Sequence, residues 1–247
     1  MVFDAKQYRR EGFERSMMYL FRGELRSPTY FLLCLAVIVA LALGANRAHA
    51  FEECGELENA YGPFDYRTSR DKLAIVEIAH FTPDVEALRS GNTGQIGGDL
   101  DYTLRASPNH ARALIAMANL GRKLNTNQPP GAKYSLPCYF DRAIRFADND
   151  PMVRLVYGTY LTRVGKQREA LEQLEVALKL DQGNANIHYN LGLVYLDLKD
   201  YPKAREHAQR AYELGFSLPG LRKRLEAVGQ WTPTQPAERT GNAAAPK

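Results

Sequence analysis

Between residues 151 and 218 the hydrophobic positions recur at three- and four-residue steps, in four runs separated by polar or glycine-containing breaks. That spacing puts the apolar residues on one face of an α-helix, so the segment predicts four amphipathic helices. The runs also copy one another. At an offset of 34 residues, Gly158 falls on Gly192, Ala170 on Ala204 and Ala177 on Ala211, while Tyr157, Leu161 and Leu180 fall on Leu191, Tyr195 and Leu214. Small residues at fixed phases of a fixed period predict helix pairs that cross too closely for larger side chains. Gly165-Lys166-Gln167 and Lys199-Asp200-Tyr201-Pro202 break the pattern inside each unit. Asp181, Gly183 and Asn184 close the first unit before the second begins.

Upstream the pattern weakens without vanishing. Residues 107–124 predict another first helix, with Ala113, Met117, Ala118 and Gly121 as its small-residue seam. Residues 134–151 predict its partner, with Phe140, Ala143 and Phe146 in phase with Leu174, Ala177 and Leu180. The connector at 125–132 is longer than the later ones, so 107–150 is a degenerate unit with an insertion. Residues 70–91 and 99–108 predict a still weaker helical pair within an irregular stretch, 51–106. At the far end, 219–231 predicts a capping helix with Leu221, Leu225 and Val228 inward and Arg222, Lys223 and Arg224 in solvent. Residues 232–247 have the proline, alanine and polar content of a disordered tail.

The two clear units, 151–184 and 185–218, resemble the tetratricopeptide repeat. The leucine and glycine of that family's first helix stand here as Leu191 and Gly192, and the alanines of its second as Ala204 and Ala211; the earlier unit matches at Gly158, Ala170 and Ala177. Tyr157 replaces the usual leucine, and Gln182 and Phe216 stand where the family often has proline. The resemblance implies an all-α fold, a right-handed superhelical solenoid of helix-turn-helix repeats, here with an irregular N-terminal segment. It also implies a function in holding other proteins, with the first helices lining a concave groove. Projected onto that side are Arg112, Asn119, Arg122 and Lys123, then Met152, Leu155, Thr159 and Arg163, then Tyr189, Asn190, Leu193 and Asp197. The groove is basic at one end, apolar in the middle and rich in tyrosine and asparagine at the other, which suits an extended or helical peptide. Arg163, Tyr189 and Asn190 are the expected principal contacts, being residue types that dominate interfaces or fix a backbone. Family members that clamp chaperone carboxyl termini use lysine, asparagine and arginine at these positions; Leu155, Val156 and Leu193 interrupt that set here.

Charge narrows the partner. The chain of 247 residues carries a net charge of +4. Residues 1–50 hold seven Lys/Arg against four Asp/Glu, which leaves the remainder nearly balanced. Nucleic-acid binding relies on many phosphate contacts and is not expected of such a domain. The start of the chain has Arg22 and Arg26, an apolar run from Tyr30 to Leu43, and then Ala48-His49-Ala50. A basic flank, a short apolar core and a small-x-small tripeptide predict a secretory signal cleaved after Ala50. The run is shorter than the roughly 20 residues of a membrane-spanning helix. Nearly thirty residues precede it, long for a signal, so the alternatives are a start at Met17 or Met18, or an uncleaved anchor, the one membrane contact expected. Either way the positive flank predicts that the repeats cross the membrane, to a periplasmic or extracellular location. Cys34 and Cys54 lack the preceding small residues of a lipoprotein signal.

Cleavage there leaves Cys54 and Cys138, an even count that invites a disulfide in an oxidising compartment. The alternative is a buried apolar Cys138 and a free Cys54. No CxxC or CxxCH is present. Between signal and repeats, Tyr61, Phe64 and Tyr66 flank Gly62-Pro63, which predicts an aromatic cap on the first helical pair, with a ligand-contacting loop as the alternative. The glycine-rich stretch 90–101 lacks the Gly-Lys-Ser/Thr ending of a phosphate loop and predicts a flexible turn into a helix, with Asp99 near its cap. His49, His80, His110, His188 and His207 form no HExxH and sit at no metal-ligand spacing, and there is no GxSxG. His188 and His207 are expected on surface or seam. The pairs Asp99/Asp101 and Glu172/Glu175 are ordinary for helix starts and solvated faces. No catalytic residue, cofactor or metal is therefore expected. A non-enzymatic exported adaptor or scaffold in a bacterial envelope or secretion assembly is the leading reading. The alternative is a structural subunit that self-associates into a homo-oligomer or packs on a surface filament.

Overall fold

The structure, a computed structural model, describes residues 54–231. The expected signal or anchor within 1–50 and the expected tail at 232–247 lie outside the described residues. From Glu56 onward the described residues belong to one compact unit. Every regular element among them is a helix: α1 Arg70–His80, α2 Pro83–Glu86, α3 Ile96–Ala106, α4 Ala111–Leu124, α5 Leu136–Phe146, α6 Pro151–Arg163, α7 Gln167–Leu180, α8 Ala185–Asp197, α9 Tyr201–Glu213 and α10 Gly220–Ala227.

The helix ends repeat as the hydrophobic phases do. Asp150 caps α6 by accepting from Met152 N–H at 2.9 Å, and Asn184, one period later, caps α8 by accepting from Asn186 N–H at 3.1 Å. Pro151 and Pro202 occupy first-turn positions, where the missing N–H costs nothing. At the other ends Gly165 and Lys199 are both left-handed, with φ of 81° and 63°. The N–H groups that follow them return to Leu161 O and Tyr195 O at 2.9 Å. One cap chemistry at one period builds the same hairpin twice.

Small residues set the helix crossings, within each hairpin and, at Gly192, against α10 as well. A Cβ on Gly158 would lie 2.6 Å from Leu174 Cγ, and one on Gly192 would lie 2.5 Å from Leu221 Cδ2 and 3.2 Å from Ala204 O. Ala170, Ala177, Ala204 and Ala211 are fully buried in the facing helices. The first helices α4, α6 and α8 lie side by side, with α7 and α9 packed behind α6 and α8. One apolar core runs from Phe81 to Leu225 through all of them. This is the helical repeat solenoid expected from the sequence.

The degenerate regions depart in detail. Helix α4 starts at Ala111 because His110 supplies its cap, and Gly121 lets Leu136 of α5 approach, a Cβ there lying 2.4 Å from Leu136 Cδ1. Asp99 lies in the first turn of α3, near the cap as expected, the N-cap residue itself being Gln95. It is buried, and its carboxylate instead accepts from the N–H groups of Asn92 and Thr93 and the Thr93 hydroxyl, so it ties down the glycine-rich turn. Val228 is not inward: α10 stops at Ala227 and leaves it 46% exposed, while Leu221 and Leu225 are buried. Tyr66 packs in a small cluster with Leu73, Val76 and Ala106, joined by Phe64 and Tyr102, and Phe64 N–H donates to Ala106 O at 2.9 Å. The aromatic segment thus covers α1 and α3. Cys54 and Cys138 are buried and disulfide-bonded.

Candidate functional site

Two adjoining cavities open on the wall made by the first helices. The first, about 250 Å³, is lined by Ile115 and Ala118 of α4, by Met152, Leu155, Val156, Thr159, Tyr160 and Arg163 of α6, and by Asn186 and Asn190 of α8. The second, about 350 Å³, shares Ala118, Tyr160 and Arg163 with it and continues past Gly121, Arg122, Asn125, Thr126, Asn127, Leu136 and Val164. The wall exists because the α6 residues at 152, 155, 156, 159 and 163 follow the three- and four-step rule on one face. Together the cavities make a trough with an apolar half and a half of mixed polarity.

Several side chains in it are held in place. Arg163 Nη1 donates to Asn119 Oδ1 at 3.0 Å, bridging α6 to α4. Thr159 Oγ1 donates to Leu155 O at 2.8 Å and lies 3.2 Å from Asn190 Oδ1, which joins α6 to α8. Asn190 Nδ2 donates to Asn186 O at 2.8 Å. The Tyr160 ring leans on Phe140, with centroids 5.0 Å apart, and burial pushes its phenol pKa up, so it stays a neutral hydroxyl. Ile115 and Met152 remain 43% and 37% exposed on the trough. The wall is therefore preformed, its three helices tied by the side chains of Asn119, Arg163, Thr159 and Asn190.

The structure brings together Asn119, Arg122, Met152, Leu155, Thr159, Arg163 and Asn190 on this wall. It does not bring Arg112, Lys123, Tyr189, Leu193 and Asp197 into either cavity. Arg112 forms an ion pair with Glu86, and Lys123 Nζ donates to Leu88 O at 2.9 Å. Tyr189 stacks on Phe216 at 4.0 Å, Leu193 packs against the core, and Asp197 pairs with Arg224 at 2.6 Å. The loop to α10 takes up Tyr189 and α10 takes up Asp197, which a repeat offset does not foretell. Ile115, Tyr160 and Asn186 were missed, although Ile115 is three residues beyond Arg112 and Asn186 four before Asn190 on the same faces.

The histidines meet partners the sequence kept apart. His80 Nδ1 is 3.0 Å from Asp99 Oδ1, and His110 Nε2 is 3.0 Å from Glu77 Oε1. His188 Nε2 donates to Gln182 O at 3.1 Å, leaving its Nδ1 to accept from His207 Nδ1 at 3.0 Å. Among the described residues no three His, Cys, Asp or Glu side chains form a group that would hold a metal ion. Glu175 of the Glu172/Glu175 pair accepts from the Tyr195 hydroxyl at 3.1 Å, and Asp101 accepts from Tyr139 OH at 2.5 Å.

Comparison with known proteins adds the following. Two family profiles match, one described as TPR repeat over residues 161–199 and one as tetratricopeptide repeat over residues 185–215. The human protein O-mannosyl-transferase TMTC3 is 30% identical over 114 residues, which is 46% of this chain and 12% of that protein. An uncharacterized protein of Haemophilus influenzae is 28% identical over 115 residues, which is 46% of this chain and 60% of that protein. The chain spans less than two thirds of either relative. Among solved structures, MamA is similar with a TM-score of 0.46 at 15% identity, covering 64% of this chain and 82% of that one. YrrB, described as a TPR protein with an unusual peptide-binding site, has a TM-score of 0.40 at 22% identity, covering 66% and 73%.

Proposed function

We propose that this chain, whose residues 161–215 carry tetratricopeptide repeats, is a non-enzymatic adaptor that holds a segment of another protein along the α4–α6–α8 wall. The observation that carries this is the pair of adjoining cavities crossing three successive first helices. An extended segment can lay side chains into the apolar half while its backbone meets the amides of Asn186 and Asn190. We also propose that it acts after export, in a bacterial envelope or secretion assembly. The amino-terminal pattern of Arg22, Arg26 and the apolar run supports export, and the bonded Cys54 and Cys138 suit an oxidising compartment.

A second reading, self-association, is favoured by one feature. Ile75 and Ile78 stand 65% and 75% exposed on one face of α1, away from the trough. A photo-crosslinking residue placed at Met152 and, separately, at Ile78 discriminates the two. Crosslinks to another protein from Met152 and none from Ile78 are expected. Crosslinks between copies from Ile78, with none from Met152, reverse the assignment in favour of the structural subunit.

A further inference from the structure

We infer that His188 and His207 form a binding site for one late first-row divalent metal ion, Cu²⁺ ahead of Zn²⁺, held between their two Nδ1 atoms. Neither histidine lines the trough, so the inference stands apart from the proposed use of the wall.

Nineteen residues separate these histidines in the sequence, and the pairing of α8 with α9 brings their Nδ1 atoms to 3.0 Å. A backbone carbonyl can only accept, so the contact of His188 Nε2 with Gln182 O at 3.1 Å fixes the proton of the neutral His188 ring on Nε2. Its Nδ1 therefore presents a lone pair to the second ring. A metal-binding histidine is commonly set in this way, with its far N–H given to a carbonyl or carboxylate. His207 is held from another side. The Tyr195 ring lies nearly parallel to it, at 5.4 Å and 6°, and the Tyr195 hydroxyl is tied to Glu175 of α7. Without an ion, His207 fills the gap with its Nδ1 proton. With one, that proton moves to His207 Nε2 and the second lone pair is released to the metal. Burial and the neighbouring His188 hold the His207 pKa below its ordinary value, which keeps the ring neutral, as a ligand must be.

Metal bonds to histidine nitrogen are about 2.0–2.1 Å long. Two nitrogens 3.0 Å apart then subtend roughly 90–100° at the ion. That angle suits adjacent corners of a tetragonal site, the preference of Cu²⁺ among nitrogen and oxygen donors, and the affinity order of divalent ions also puts Cu²⁺ above Zn²⁺. The remaining corners fall to water or a small anion. A cavity of about 320 Å³, lined by Leu178, Lys179, Gln182, His188 and Arg210, borders His188 and gives access. Glu175 of α7 and Glu206 of α9 favour a cation beside the rings, and Lys203 of α9 opposes one. Lys179 and Arg210 face the cavity, Arg210 being paired with Glu213. With two protein ligands instead of four, this is an exchangeable site and not a structural zinc centre.

The test uses the untagged full chain carrying Cys34→Ser, so that the cysteine outside the disulfide cannot take up or reduce the ion. Cu²⁺ and Zn²⁺ are titrated at pH 7 into this chain and into His188→Gln, His207→Phe and His49→Ala on the same background, with melting measured for each to confirm folding. His207→Phe keeps a ring against Tyr195. One Cu²⁺ should bind at micromolar concentration or below, more tightly than Zn²⁺, and its electron spin resonance should show two imidazole nitrogens. His188→Gln and His207→Phe should each weaken Cu²⁺ binding at least tenfold, and His49→Ala should bind as the parent does. Cu²⁺ should raise the melting midpoint of the parent and not that of His207→Phe. Equal affinity in a folded His207→Phe, tighter binding of Zn²⁺ than of Cu²⁺, or a spectrum without two imidazole nitrogens would overturn the inference and leave the two rings with their hydrogen bond alone. Where a variant fails to fold, the spectrum of the parent decides by itself.

Discussion

His110 shows how one residue can join several parts of the chain. It is fully buried, caps α4 by accepting from Ala113 N–H at 3.1 Å through Nδ1, and directs Nε2–H at Glu77. Tyr66 lies against its face at 3.8 Å and Phe81 meets its edge at 4.7 Å. Burial, with repulsion from Arg112 and Arg70 that Glu86 partly offsets, holds its pKa down at about 3, against 6.5 when unfolded. A proton on Nδ1 would also cost the cap. The folded state therefore keeps a neutral imidazole. Because the folded pKa is depressed, the unfolded chain binds protons first as pH falls, and stability is lost from about 6.5 down toward 3. At pH 5 the loss from this residue amounts to about 2 kcal/mol, at about 1.4 kcal/mol per pH unit. His110→Asn keeps a capping oxygen and removes the titration. Denaturation midpoints at pH 7 and pH 5 should differ less for the variant than for the parent chain. An equal acid loss in both would place the titrating group elsewhere.

At the scale of elements, the glycine seam decides how close each helix pair sits. Gly158→Leu and Gly192→Leu each force a side chain into the space of Leu174 or Leu221. Overpacking of this kind costs roughly 1–3 kcal/mol. Thermal melting of each variant should show the loss, and an unchanged midpoint would mean that the crossing is looser than the glycines imply. The seam was legible in the sequence because period and packing coincide there: Gly158 and Gly192, Ala170 and Ala204 repeat for one physical reason. The outward wall was legible only in part. Arg163, Thr159 and Met152 follow from helical phase alone. Tyr189 and Asp197 share that phase, but α10 docks against the end of the array and takes them. An end effect breaks the repeat symmetry, and a repeat offset carries no signal for it. The same holds for Asp99, whose buried role depends on a turn folding back over seven residues.

For the whole molecule, the question is what keeps the irregular amino-terminal part attached to regular repeats. Phe81, Val85, Leu100 and Leu104 belong to the main apolar core, and the cluster around Tyr66 adds only a few residues to that attachment. Polar links add to it: Tyr66 N–H and Asp65 both meet the Asn109 side chain, which also donates to Asp150 at 3.0 Å, and Arg67 reaches Asn149 at 3.1 Å. Through Asp150 this network ends on the cap of α6, so loosening it would be felt at the trough. The disulfide of Cys54 and Cys138 adds a covalent constraint. Closing a loop of this length contributes up to about 4.5 kcal/mol in the chain-entropy model. The proposed export and the stability of the fold can therefore be tested together. The chain made with residues 1–50 should reach an oxidising compartment, and thiol alkylation before lysis should find Cys54 and Cys138 blocked. The same chain made without residues 1–50 in a reducing cytoplasm should show both thiols free and unfold at clearly lower denaturant. Oxidation in vitro should restore the midpoint, and Cys138→Ser should make it insensitive to reductant. Free thiols in the chain made with residues 1–50 would remove the compartment assignment, and equal midpoints for the reduced and oxidised forms would remove the stabilising role of the bridge.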